Sequence, residues 1–255
     1  MTGRLPPSKR ENSCLVVIPA RLGSTRFPAK VLAKLRGRSI VEWCWRAAKA
    51  AKIGPVLVAT EAQEVVDAVR AFGGIACLTP ASCVSGSDRV HKAARMFPHK
   101  VDFILNLQGD QPLVEAKTLR AVVDMLKRNP KADMATAVMD LPDAKRAQDP
   151  NVVKAAVAKD GRALYFSRAA IPFPRNGHAP QRYEHLGIYG FRRAALDRFV
   201  KLPASNLEKT ESLEQLRALE DGMSIYAAVV KDHPVAIDTK ADLRRAELLL
   251  GRMKK

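Results

Sequence analysis

The chain has few aromatic residues, few cysteines and no apolar run long enough to cross a bilayer. Phe, Trp and Tyr make up 5% of its 255 residues. Single-strand nucleic-acid binders stack bases on rings set among their cations, and this chain lacks that pattern. Its four cysteines, Cys14, Cys44, Cys77 and Cys83, form no close metal-type pair and no disulfide framework. Three of them lie in apolar segments and read as core thiols, which argues against a structural zinc. A membrane span needs roughly 20 apolar residues in a row, and none is present. The opening MTGRLPPSKRENS lacks the apolar core of a signal peptide. It predicts a flexible basic arm over 1–13, ahead of a single cytoplasmic domain over 14–255.

Acidic residues are scarce too, with 26 Asp and Glu against 43 Lys and Arg and a formal net charge of +17. Such an excess can mark nucleic-acid binding. Here the cations are scattered over helix faces and both termini and form no stripe. The milder reading is attraction of small anionic substrates, with no specific nucleic acid and no membrane as partners.

Short apolar runs alternate with helical periods. Leu15–Ile18 ends in Pro19 and reads as a buried strand. Residues 39–52 open with Ser39 and Glu42 in capping-box spacing and predict a helix. Strands follow at 55–60, 75–78 and 102–107, and helices at 61–74, 87–97 and 115–129. This alternation predicts an α/β fold, a mostly parallel sheet with helices on both faces. From about residue 133 the rhythm changes to MATAVM, VVKAAVA and ALYFS, the last two joined by an Asp160-Gly161 turn. An antiparallel excursion is expected there. A Pro/Arg-rich loop at 171–180, a strand at 183–191 and two helices come next. Strands at 224–230 and 235–238 precede a last helix from Asp242.

The chemistry gathers at predicted strand ends. After the first strand come Arg21, Arg26 and Lys30 with Gly23, Ser24 and Thr25 among them. Small residues let backbone N–H groups approach phosphate oxygens, and the cations neutralise them, so a polyphosphate site is expected. The run LNLQGDQP leads a strand into Gln108-Gly109-Asp110, and VAID ends a second one in Asp238. Two carboxylates at central strand ends could share Mg²⁺ beside the phosphates. A helix N-cap is the competing reading for Asp238, which TKADL follows.

The segments VVIPARLGSTRFPAK, ATE, SGSDR, NLQGDQP, ALYFSRAAIPF, HLGIYGF, ESLEQLRAL and VAIDT stand in order along nearly the whole chain. Together they resemble the 3-deoxy-D-manno-octulosonate (Kdo) cytidylyltransferases. The resemblance implies a nucleotide-diphospho-sugar transferase fold, Rossmann-like, and transfer of CMP from CTP to Kdo with release of pyrophosphate, for lipopolysaccharide biosynthesis. It further implies Mg²⁺ as cofactor and a homodimer formed partly through residues 160–200. Arg21, Ser24, Arg26 and Lys30 match the family's triphosphate loop, Asp110 and Asp238 its metal carboxylates, and Ser85 and Arg89 positions near the nucleotide. Gln108, Arg168, His185, Tyr189, Glu211 and Gln215 match its sugar-side positions, with Arg168 suited to a carboxylate. Two departures stand out: Ala29 replaces a glycine of the loop, and Glu61 replaces an aspartate. The same reaction on 8-amino-Kdo, and CMP-sialate synthesis, are alternatives, although HLGIYG and SLEQLR argue against the latter. A basic nucleic-acid-binding protein is the alternative from another class.

Overall fold

The computed structural model describes residues 13–23, 26–177 and 180–252. The arm expected over 1–13 therefore lies outside the described residues except for Ser13.

The chain begins with β1 (Cys14–Pro19), a 3-10 turn at Lys30–Leu32, and a small ribbon of β2 (Lys34–Leu35) and β3 (Arg38–Ser39). There follow α1 (Ile40–Ala51), β4 (Val56–Thr60), α2 (Gln63–Ala71), β5 (Ile75–Leu78), α3 (Gly86–Met96) and β6 (Phe103–Asn106). α4 (Ala116–Arg128) leads to β7 (Met134–Asp140), α5 (Ala144–Gln148), β8 (Lys154–Val157), β9 (Ala163–Ser167) and β10 (Tyr183–Arg192). α6 (Arg193–Phe199), α7 (Asn206–Glu211), α8 (Leu216–Glu220), β11 (Ile225–Val230) and α9 (Lys240–Arg252) complete it. These elements gather into two compact units, Met1–Arg120 with His233–Lys255, and Ala121–Asp232.

In the first unit β1 pairs in parallel with both β4 and β6, and β4 with β5. Every residue of β1 and β4 is buried. That is why these strands read as unbroken apolar runs and not as alternating ones. The α1 start follows the expected cap: Ser39 Oγ accepts from the Glu42 amide at 3.3 Å. The glycine stop of α2 is equally plain, since Gly73 takes φ +81°.

The second unit carries the antiparallel excursion. β10 runs antiparallel to β7 and β8, and β8 to β9, while β11 is parallel to β7. The β8–β9 hairpin turns at Gly161, whose φ of +86° suits glycine. Along β10 the register slips: His185 faces Val138, yet Tyr189 faces Thr136, so four steps oppose two. Gly187 at φ +69° sits inside this bulge. Three short helices, not two, follow β10. The strand expected at 235–238 is absent: that segment is irregular chain without a ladder, joined instead by one bond from Ile237 N–H to the Asp110 carbonyl at 2.8 Å.

Candidate active site

β6 leaves the sheet still in register, with the Leu107 amide bonded to the Val17 carbonyl at 3.1 Å. The chain then packs Gly109 against the end of β1 so closely that a Cβ there would lie 2.6 Å from the Pro19 carbonyl oxygen. Only glycine fits, and the fit aims Asp110 into a cleft of about 340 Å³. Arg21, Arg26, Lys30 and Gln108 line the same cleft.

The Ile237–Asp110 bond brings Asp238 alongside. Helix α9 is capped by its neighbour: Thr239 Oγ1 accepts from the Asp242 amide at 3.2 Å, and the Asp242 carboxylate accepts from the Thr239 amide at 2.9 Å. Those bonds from Thr239 outweigh burial and hold the Asp242 carboxyl below its ordinary pKa. The N-cap reading of Asp238 is thereby overturned; its carboxylate pairs with Lys30 and Arg26 instead.

Lys30 Nζ donates to Asp110 Oδ2 at 2.8 Å and to Asp238 Oδ1 at 2.9 Å. Burial pulls this ammonium toward neutrality, but the two carboxylates outweigh that and raise its pKa above the ordinary value. Arg26 lies 3.3 Å from the other oxygen of Asp238, in an exposed pair that contributes little stability. Two hard carboxylates thus already share one cation, a donor set that suits Mg²⁺. Among the described residues no group of three or more His, Cys, Asp or Glu gathers for a metal.

Arg21 donates to the Cys83 carbonyl at 3.2 Å, and Gln108 to Asn106 Oδ1 at 3.3 Å. Ser24 lies outside the described residues. Ser85 does not line the cleft; it caps α3, its Oγ accepting from the Asp88 amide at 3.1 Å. Arg89, 1% exposed, pairs with Glu61 at 2.9 Å and donates to Thr79 Oγ1 at 2.5 Å. Glu61 also accepts from the Leu22 amide at 3.0 Å. The longer carboxylate at 61 therefore ties the phosphate-type loop to a buried arginine.

The other sugar-side positions all fall in the second unit. Arg168 is not an open fork: Nε, Nη1 and Nη2 donate to the carbonyls of Glu211 (2.6 Å), Pro150 (2.8 Å) and Ser212 (3.3 Å). Glu211 accepts from Ser167 Oγ at 2.6 Å and from the Arg168 amide at 2.9 Å. His185 packs against Phe166 and Tyr189, with ring centroids 4.8 and 5.3 Å away and the rings tilted by 58° and 53°. Burial pushes its imidazole down to about 3. Burial, reinforced by the Glu214 charge, raises the Tyr189 phenol well above its ordinary pKa. Gln215 is 3% exposed and its amide nitrogen has no hydrogen-bond partner.

Two residues of this unit escaped the sequence reading. Thr136 is fully buried in β7. Lys154, also fully buried, donates to the carbonyls of Asp149, Val152 and Arg168 at 2.9, 2.5 and 2.5 Å. Each is a lone polar residue inside an apolar strand, MATAVM or VVKAAVA, and that interruption was the available signal.

The sequence profile of the family described as Cytidylyltransferase matches residues 15–225. A 3-deoxy-manno-octulosonate cytidylyltransferase of Elusimicrobium minutum is 51% identical over 237 residues, covering 91% of this chain and 96% of its own. That of Paramagnetospirillum magneticum is 45% identical over 243 residues, covering 92% and 97%. A solved CMP:2-keto-3-deoxy-manno-octonic acid synthetase, in complex with CTP, superposes with a TM-score of 0.90 at 34% identity, covering 94% of this chain and 99% of its own. A 4-diphosphocytidyl-2C-methyl-D-erythritol synthase from Anaerococcus prevotii, TM-score 0.63 at 12% identity, shares the fold. With its parallel strands, its paired carboxylates Asp110 and Asp238 and this likeness over nearly its full length, the chain belongs to the cytidylyltransferase family, with the 3-deoxy-manno-octulosonate cytidylyltransferases.

Proposed function

We propose that the chain transfers CMP from CTP to Kdo and releases pyrophosphate. The observation that carries this is the cleft lined by Arg21, Arg26, Lys30 and Asp110, with Asp238 paired to Arg26 and Lys30, read together with the relatives' names. The three cations bind the triphosphate and stabilise the charge that builds on the leaving pyrophosphate. Phosphoryl transfer asks little covalent work of a protein, so positioning and neutralisation dominate. Asp110 and Asp238 would hold the Mg²⁺. When bound, that ion supplies positive charge to the phosphate oxygens and lowers the pKa of the attacking hydroxyl. Lys30 has two duties. It balances the paired carboxylates, and it adds positive charge to the cleft that takes the triphosphate.

On the acceptor side we assign His185 and Gln215 to the hydroxyls of the sugar acid, because each keeps a polar nitrogen free of described partners. Tyr189 packs against His185. Arg168 and Glu211 hold the surrounding main chain, while Gln108 borders Asp110. No residue is assigned as general base.

Asp110→Asn tests the reading. It keeps the shape and the bond to Lys30 but removes a charge. Turnover in a CTP- and Kdo-dependent pyrophosphate assay should fall on the order of 10³-fold, the several kcal/mol a metal's charge supplies. Mn²⁺ binding should weaken with it, at unchanged thermal stability. A folded variant retaining most of its metal-dependent activity would remove Asp110 from the site.

A further inference from the structure

We propose that Thr136 is a positioning residue that holds His185 as the Nε2–H tautomer, so that Nδ1 accepts a hydrogen bond from a hydroxyl of the sugar acid. The inference rests on the reading of His185 as a contact to the acceptor. It follows from proton bookkeeping at one hydroxyl. Thr136 Oγ1 lies 2.7 Å from the Ile188 carbonyl oxygen, which can only accept. The single hydroxyl proton is therefore committed there. The same oxygen lies 2.9 Å from His185 Nε2. With its proton engaged it can only accept, so Nε2 must carry the hydrogen.

The bulge in β10 explains why this arrangement exists. The slipped register between His185 and Tyr189 takes Ile188 out of its ordinary ladder position, and a buried carbonyl without a donor would be costly. Thr136, opposite Tyr189 on β7, supplies that donor and the acceptor for His185 at once. The imidazole, packed against the Phe166 and Tyr189 rings, is neutral at pH 7, as its depressed pKa also requires. A neutral ring with Nε2 protonated has a lone pair on Nδ1, and no described residue donates to it. Such a nitrogen suits a hydroxyl and is unsuited to a carboxylate, which separates the groups of an eight-carbon sugar acid. Valine at 136 would fill the same volume and remove both bonds, whereas serine would keep them.

The test is ¹⁵N-histidine NMR at pH 7 on the substrate-free protein, the His185 signals assigned by their loss in His185→Gln, combined with steady-state kinetics. In the wild type His185 should show a protonated Nε2 and an unprotonated Nδ1. Thr136→Val should lose that fixed pattern and raise the KM for Kdo about tenfold with the KM for CTP unchanged, the loss of one oriented hydrogen bond. Thr136→Ser should restore both. A wild-type ring protonated at Nδ1 overturns the proposal. So does a Val variant with an unaltered tautomer, or one whose two KM values move together. Should the Val variant fail to fold, the wild-type spectrum and the Ser variant decide alone. The spectrum needs no substrate, so a wild type that ignored Kdo would refute the acceptor assignment without touching the tautomer.

Discussion

Ala29 stands where the chain turns left-handed, at φ +52° and ψ +27°, just before Lys30. A side chain in that conformation costs roughly 1–2 kcal/mol, and glycine's extra freedom in the unfolded chain returns about 0.4–1 kcal/mol of any gain. Ala29→Gly should therefore raise the unfolding free energy by about 0.5–1 kcal/mol, seen as a higher denaturant midpoint at constant m-value. A lower midpoint would mean that the loop does not hold this strain. Ala29 takes this conformation directly before Lys30, which bonds both carboxylates. At this scale the sequence was informative where charge follows an apolar run. Arg21, Arg26, Lys30 and Asp110 were legible for that reason, and all of them meet in one cleft. Ser85 caps a helix and Arg89 sits in a buried ion pair, two uses that sequence alone does not separate from a place beside a nucleotide. A guanidinium held by three carbonyls, as at Arg168, looks in sequence the same as an open one.

At the scale of elements, Lys154 shows what periodicity cannot convey. Its ammonium joins the loop before β8 to the end of β9 through three carbonyls, and Arg168, whose carbonyl it holds, binds three more. Burial lowers the Lys154 pKa, with the charges of Asp149 and Glu211 acting against it. Methionine there would relieve that desolvation but leave three carbonyls without donors. The orphaned acceptors weigh more, so Lys154→Met should cost about 3 kcal/mol in urea unfolding. A loss under about 1 kcal/mol would mean that water replaces the ammonium. The parallel strands β1, β4 and β6 were legible because both their faces are buried. The segment 235–238 was not, since four apolar-to-acid residues look alike whether a ladder or a single bond to Asp110 holds them. β10 was found, but its two-residue slip was invisible, because a bulge is set by the partner strand as much as by its own residues.

At the scale of the molecule, the net charge of +17 suits the attraction of small anionic substrates. The homodimer remains a proposal, and one side chain makes it testable. Of eight phenylalanines, only Phe173 is exposed, at 82%, in the loop between β9 and β10. Leu164 on β9 is 51% exposed in the same unit. Scattered exposed leucines are ordinary on a protein surface, but a phenylalanine left in water forgoes about 2 kcal/mol that burial would return. Both residues lie in the 160–200 region expected to pair with a second copy. Light scattering at micromolar concentration should give twice the 28.0 kDa chain mass. Phe173→Asp should weaken association about thirtyfold, the equivalent of that burial, and shift the protein toward monomer without lowering its melting temperature at high protein concentration. A monomer mass for the wild type would remove the dimer. A dimer unaffected by Phe173→Asp would place its interface outside this loop, leaving Phe173 exposed in the assembly as it is in the single chain.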